Sequence, residues 1–177
     1  MENFFGASAH PNVVAQHLVT YDDLDSDRRK KNIQRTLAAY PEGVIPIFNE
    51  NDTVATEELN LGDNDQLASR IARLVHAQTL ILLSDVDGVY NKNPQTNPDA
   101  ELIQSLTTTQ LSDEFIAQCG VGGNESGSGG MASKLRAARD AAEEKIVAFI
   151  ANGKKPGTIS SILKNPDAAR GTRVTLG

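Results

Sequence analysis

Cysteine is all but absent: Cys119 is the only one in 177 residues, so no disulfide can form within the chain, and a reduced, cytoplasmic setting is expected. Long apolar runs are missing as well. No stretch approaches the roughly 20 apolar residues that cross a bilayer, so no membrane partner is expected. Basic residues are outnumbered, with 17 Lys+Arg against 23 Asp+Glu and a net charge of −6. A non-specific nucleic-acid binder needs the opposite balance to displace counterions from phosphates, so no nucleic acid is expected as a partner. The start, Met1 to Gly6, has neither basic residues nor an apolar run and does not read as a secretory signal. His10, His17 and His76 lie far apart, so neither a Ser-His-Asp order nor a metal-ligand spacing emerges. No metal ligand is assigned.

What is present is ordinary globular composition, 39% apolar, at a length that suits one domain spanning 1–177. Short apolar segments rich in β-branched residues predict buried strands over Val13–Thr20, Gly43–Asn49, Thr79–Asp85 and Lys145–Ala151, with a short candidate at Arg173–Leu176. Helical periodicity predicts helices over Asp27–Tyr40 (stripe Ile33, Leu37, Tyr40), Asp65–Ala77 and Met131–Glu144. A weaker helix is predicted over Thr108–Gln118, capped by Thr108 or Thr109. Alternation of strands and helices predicts an α/β/α layered sheet with parallel strands joined by crossover helices. Asn91–Asp99, with Pro94 and Pro98, reads as a surface excursion.

Four segments carry chemistry. Asn49-Glu50-Asn51-Asp52 follows a strand, where α/β proteins collect ligands, and reads either as a small-ligand site or as a polar turn. Gly62-Asp63-Asn64-Asp65 opens a helix, and capping uses one of its three polar residues. The other two would suit an ammonium or metal partner. Ser84-Asp85-Val86-Asp87-Gly88-Val89-Tyr90 runs off a strand and reads either as an Asx turn or as a nucleotide site. Finally, Gly120–Gly130 holds six of the fourteen glycines and leads into Met131-Ala132-Ser133-Lys134. Glycines allow close backbone approach, and a helix start offers N–H groups and partial positive charge, so this reads as an anion cradle. It has no Walker A spacing, and no strand immediately precedes it as a dinucleotide fingerprint requires. A cation at a helix N-terminus is unfavourable unless an anion joins it.

In this order, Val44–Asp52, Gly62–Asp65, Ser84–Tyr90 and Ser128–Lys134, together with Tyr21–Asp25 and Gly153–Gly157, resemble the amino acid kinase family, in the branch that phosphorylates L-glutamate. The resemblance implies a three-layer α/β/α sandwich with a mainly parallel sheet. It also implies ATP-dependent phosphorylation of the γ-carboxylate of L-glutamate, the first step of proline biosynthesis. Carried over by position, Asn49, Asp52 and Asn64 are substrate-binding. Ser84, Asp85 and the run Ser128, Gly129, Gly130, Met131, Ala132, Ser133 and Lys134 are ATP-binding, and Asp65 and Lys134 are catalytic, with Asp65 organising the Lys134 ammonium. ATP and Mg²⁺ are the implied cofactors, proline a possible feedback inhibitor, and a homo-oligomer the expected assembly.

The family pattern opens with a strand carrying a second lysine and a glycine-rich turn, whereas Met1–Asn12 contains no lysine, so the N-terminal part of the kinase domain is expected to be lacking. The RNA-binding-like domain that some relatives append is also expected to be absent. Two alternatives stand beside the glutamate reading: a non-catalytic fragment that binds nucleotide, and a kinase of the same fold with another carboxylate, carbamate or nucleotide acceptor.

Overall fold

A computed structural model of the chain describes residues 13–54, 64–94, 96–120, 130–168 and 170–177. The chain divides into two compact units, Met1–Leu61 and Gly62–Gly177.

In the first unit, strand β1 (Val13–Val19) pairs in parallel with β2 (Val44–Glu50), Val13 opposite Val44 and Val19 opposite Glu50. Between them run helices α1 (Tyr21–Asp25) and α2 (Asp27–Ala38). Sequence periodicity did not signal α1, because at five residues it is too short to show any. A local device makes it. Thr20 Oγ1 accepts from Asp23 N (3.3 Å) while Asp23 Oδ2 accepts from Thr20 N (2.8 Å), a reciprocal capping box. The stripe Ile33, Leu37, Tyr40 is half-buried as the periodicity requires. Tyr40 also reaches β1, its hydroxyl 2.8 Å from His17 Nε2, and the His17 ring stacks on Phe48 at 4.7 Å. His17 therefore has a packing role.

In the second unit, β3 (Thr79–Ser84), β4 (Ser105–Thr107), β5 (Val147–Asn152) and β6 (Thr172–Thr175) form a sheet in the order β3-β5-β6-β4. The helices are α3 (Asn64–Leu74), α4 (Asp113–Gly120), α5 (Met131–Glu143) and α6 (Thr158–Lys164). Strand β5 explains the layering. Its alternate residues point to opposite faces. Ala148 and Ile150 join Leu135, Ala137, Ala138, Ala141 and Ala142 of α5 in the main core, while Phe149 and Ala151 pack with Ile162 of α6. This unit is therefore an α/β/α sandwich. Among the described strands, β1–β2, β3–β5 and β4–β6 pair in parallel.

Strands β5 and β6 run antiparallel, the exception in a sheet that is otherwise parallel, as a mainly parallel reading allows. Helix α6, at seven residues, rises only about 10 Å, half of the roughly 20 Å covered by β5. The chain therefore re-enters the sheet at the end where β5 stopped. The single helix predicted over Thr108–Gln118 is two pieces, a 3-10 turn over Thr108–Gln110 and then α4. Thr107 caps the first piece, its N–H donating to Gln110 Oε1 (2.8 Å). Ser112 caps the second, its hydroxyl accepting from Phe115 N (3.2 Å). Arg139 fixes the break from α5 by donating to Leu111 O (3.0 Å) and Asp113 Oδ1 (2.8 Å).

Gly88 has a steric reason to be glycine. A Cβ there would lie 2.7 Å from Thr172 Oγ1 and 2.9 Å from Thr172 N. That hydroxyl is buried in the turn, accepting from Val89 N (2.8 Å) and donating to Ile103 O (2.6 Å). The Ser84–Tyr90 segment is thus riveted onto β6 through backbone contact, which an Asx turn alone would not require.

Leu135 is fully buried and Leu163 is mostly exposed. Leu135→Ala should cost about 2–5 kcal/mol in urea unfolding, and Leu163→Ala should stay within about 0.5 kcal/mol of the parent. Equal effects would show that the core is not where it is drawn.

Candidate active site

Helices α3 and α5 pack through small side chains, with Ala68 and Ala72 of α3 and Ala137, Ala138 and Ala141 of α5 sharing one core. Small residues let helix axes approach, and the two helix starts come together. Asp65 lies in the first turn of α3, and Lys134 is the fourth residue of α5. The Lys134 ammonium donates to both carboxylate oxygens of Asp65 at 3.0 Å, with each side chain only 14% exposed. The anion that a cation at a helix N-terminus needs is therefore supplied from the neighbouring helix. Gln66 adds a second tie. In the amide orientation that satisfies both atoms, it donates to Asp140 Oδ2 (3.2 Å) and accepts from Ala137 N (3.1 Å).

Around this pair, Gly130 is the N-cap of α5 with no side-chain cap bond. Its carbonyl accepts from Ser133 N (3.0 Å) and Lys134 N (3.3 Å). The N–H groups ahead of these have no intrahelical acceptor at any helix start. Met131 and Ala132 are half-buried and Ser133 is buried. Asn64 is the first residue of α3 and is exposed. Ser128, Gly129 and Asp63 lie outside the described residues.

At the carboxyl ends of β3 and β5 a second polar group forms. Ser84 closes β3, its hydroxyl 3.4 Å from Asp85 Oδ1, and Asp85 is exposed. Opposite Ser84 in the ladder is Asn152. Asp87 accepts from Asn152 Nδ2 (2.9 Å) and from Lys155 Nζ (2.6 Å). These hydrogen bonds, the one from Lys155 foremost, hold the Asp87 carboxyl below the usual carboxylate range. Sequence reading named neither Asn152 nor Lys155 as site residues individually. The signal available was the polar run after β5, since neighbouring parallel strands deliver their departing loops to one end.

Asn49 and Asp52 belong to the first unit. Asn49 lies at the end of β2, with Nδ2 donating to Glu50 O (3.4 Å), and Asp52 is exposed in the turn that follows.

The model of the Amino acid kinase family matches residues 4–152. The chain belongs to the amino acid kinase family. Within that family it is 47% identical over 152 residues to the glutamate 5-kinase of Clostridium acetobutylicum, an alignment covering 85% of this chain and 56% of that protein. To the glutamate 5-kinase of Gloeobacter violaceus it is 46% identical over 176 residues, covering 99% of this chain and 46% of that one. The chain thus spans about half the length of these curated relatives. Among solved structures, an isopentenyl phosphate kinase substrate complex matches with a TM-score of 0.59 at 22% identity, over 92% of this chain and 60% of that one. Carbamate kinase from Giardia lamblia bound to AMP-PNP matches at 0.56 and 17%, over 84% of this chain and 44% of that one. These two share the amino acid kinase fold with this chain.

The Asp87 shift gives a pH prediction. A carboxyl whose folded pKa is depressed contributes stability above its unfolded pKa of about 3.9, and that contribution is lost as the pH falls through the folded value. Asp87→Asn should therefore lower stability at pH 7, by at most about 1 kcal/mol for a half-exposed pair. The gap from the parent should close as the medium is acidified below pH 4. Urea midpoints at the two ends of that range test it, and a gap that persists in acid would remove the ion pair as its cause.

Proposed function

We propose that this chain carries the machinery of a glutamate 5-kinase, transferring the γ-phosphoryl group of ATP to the γ-carboxylate of L-glutamate to give L-glutamyl 5-phosphate. A carboxylate oxygen attacks the γ-phosphorus as the bond to the ADP oxygen breaks. The acceptor is already ionised at neutral pH, so no general base is required. What the reaction requires is alignment and positive charge on the transferring oxygens.

The observation that carries this reading is the Asp65–Lys134 pair at the meeting of two helix starts. An ammonium has three donors. Asp65 can orient Lys134 while one N–H turns toward a phosphoryl oxygen. Amides at the start of α5, with Ser128, Gly129, Gly130, Met131, Ala132 and Ser133, would cradle the phosphates. Ser84 and Asp85 would hold the rest of the nucleotide and Asn64 the glutamate, while Asn49 and Asp52 of the first unit are assigned to glutamate by the family resemblance alone. Mg²⁺ bound with ATP would neutralise charge on the phosphates, and since such an ion takes only one or two protein carboxylates, the exposed carboxylate of Asp85 could hold it there. The glutamate acceptor is supported by curated relatives at 46–47% identity. Proline as a feedback inhibitor, a homo-oligomer and a cytoplasmic setting belong to the same reading. No helix among the described residues is long and apolar enough to cross a membrane.

The test is ADP release with L-glutamate, UMP and carbamate offered as acceptors, alongside calorimetric titration with Mg-ATP. Glutamate-dependent release is expected, and release with UMP alone would replace the acceptor. Binding without turnover would identify a nucleotide-binding segment instead. Lys134→Ala should lower kcat about 10²–10³-fold, with the folded state confirmed by circular dichroism. Near-parental turnover in that variant would eliminate the assigned role.

A further inference from the structure

We infer that Asn152 is a positioning residue for the nucleotide, its amide holding the Ser84–Asp85 segment in place from the neighbouring strand. This rests on the kinase reading above. Ser84 and Asn152 are the last residues of adjacent parallel strands and face each other in register. The departing chains are first tied by Gly153 N donating to Ser84 O (2.8 Å). The Asn152 side chain then spans both loops. Its Nδ2 donates to Asp87 Oδ1 (2.9 Å) and at longer range to Asp85 O (3.4 Å), and its Oδ1 accepts from Lys154 N (2.9 Å). Its own carbonyl accepts from Thr158 Oγ1 (2.8 Å), which secures it to the start of α6.

Only a side-chain amide meets this demand, because it offers two donors and an acceptor on one small group. Aspartate would keep the acceptor but set a second carboxylate against Asp87. The segment being held needs such support. The Ser84 hydroxyl and Asp85 carboxylate contact each other only at 3.4 Å, and Asp85 is exposed. Backbone fixation therefore comes from Gly88 against Thr172 on one side and from Asn152 on the other. Among the described residues, the hydrogen bonds of Asn152 include none to Asp65 or Lys134, so its effect should fall on nucleotide binding and spare the transfer step.

The experiment is calorimetric titration with Mg-ATP and steady-state kinetics of Asn152→Asp, Asn152→Ala and the exchanged pair Asp87→Asn/Asn152→Asp. The Kd and KM for Mg-ATP should rise about tenfold in Asn152→Asp, the loss of roughly one hydrogen bond. The kcat and the KM for glutamate should stay within about threefold of the parent. The exchanged pair restores one N–H···O bond at unchanged net charge and should recover most of the Mg-ATP affinity. Parental Mg-ATP affinity in both single variants would overturn the inference and leave the kinase reading standing. A parallel rise in both KM values with a falling Tm, or loss of the folded state in both single variants, would make the role purely structural and overturn it too. If the unsubstituted chain binds no Mg-ATP, the kinase reading fails and this inference fails with it.

Discussion

An ammonium and a carboxylate, each mostly withdrawn from water, meet at 3.0 Å where α3 and α5 begin. Lys134 sits where the helix dipole opposes it, and Asp65 sits where the dipole favours a negative charge. The position of Lys134 makes sense only with Asp65 beside it. Removing one partner leaves a charge largely out of water, which is costly, whereas the intact pair contributes modestly. The pair is better understood as a constraint on geometry than as a source of stability. The small side chains between α3 and α5 serve the same constraint, since bulk at Ala68 or Ala138 would separate the helix starts.

The second half of the site depends on β5. With core on both faces, it is the least replaceable strand of the second unit. Its register with β3 sets Ser84 beside Asn152, and the loops leaving the two strands are then tied by side-chain hydrogen bonds. The antiparallel entry of β6 adds Thr172, against which Gly88 closes. A motif that looks continuous in sequence, Ser84 to Tyr90, is thus held by residues from more than 60 positions further along.

Much of the architecture was legible beforehand because burial leaves a local imprint. Strands β3 and β5 showed as apolar β-branched runs, and α2, α3 and α5 as periodic stripes, each within a few residues of its observed bounds. Strands β1 and β2 were found in the same way, but the expectation that they are buried is corrected: only Val19 and Glu50, at their ends, are, and Val13, Val14, Leu18 and Ile47 are exposed. What escaped detection was short. Helix α1 and strand β4 have too few residues for any period to show. The break between Gln110 and Asp113 escaped because Arg139, far along the chain, supplies the bonds that stabilise it.

The sequence by itself determined the family. The order of its glycine, asparagine and carboxylate segments is a linear property, and so is the excess of acidic residues. It also placed Lys134 at a helix start, where the charge needed a partner. The family resemblance implied Asp65 as that partner, and the tertiary structure gave the pair its geometry. Only the tertiary structure decided that Gly88 is dictated by Thr172, and that Asn152 and Lys155 converge on Asp87. Each of those facts is a distance between residues remote along the chain, set by helix packing and strand register, and such distances leave no periodic or compositional trace.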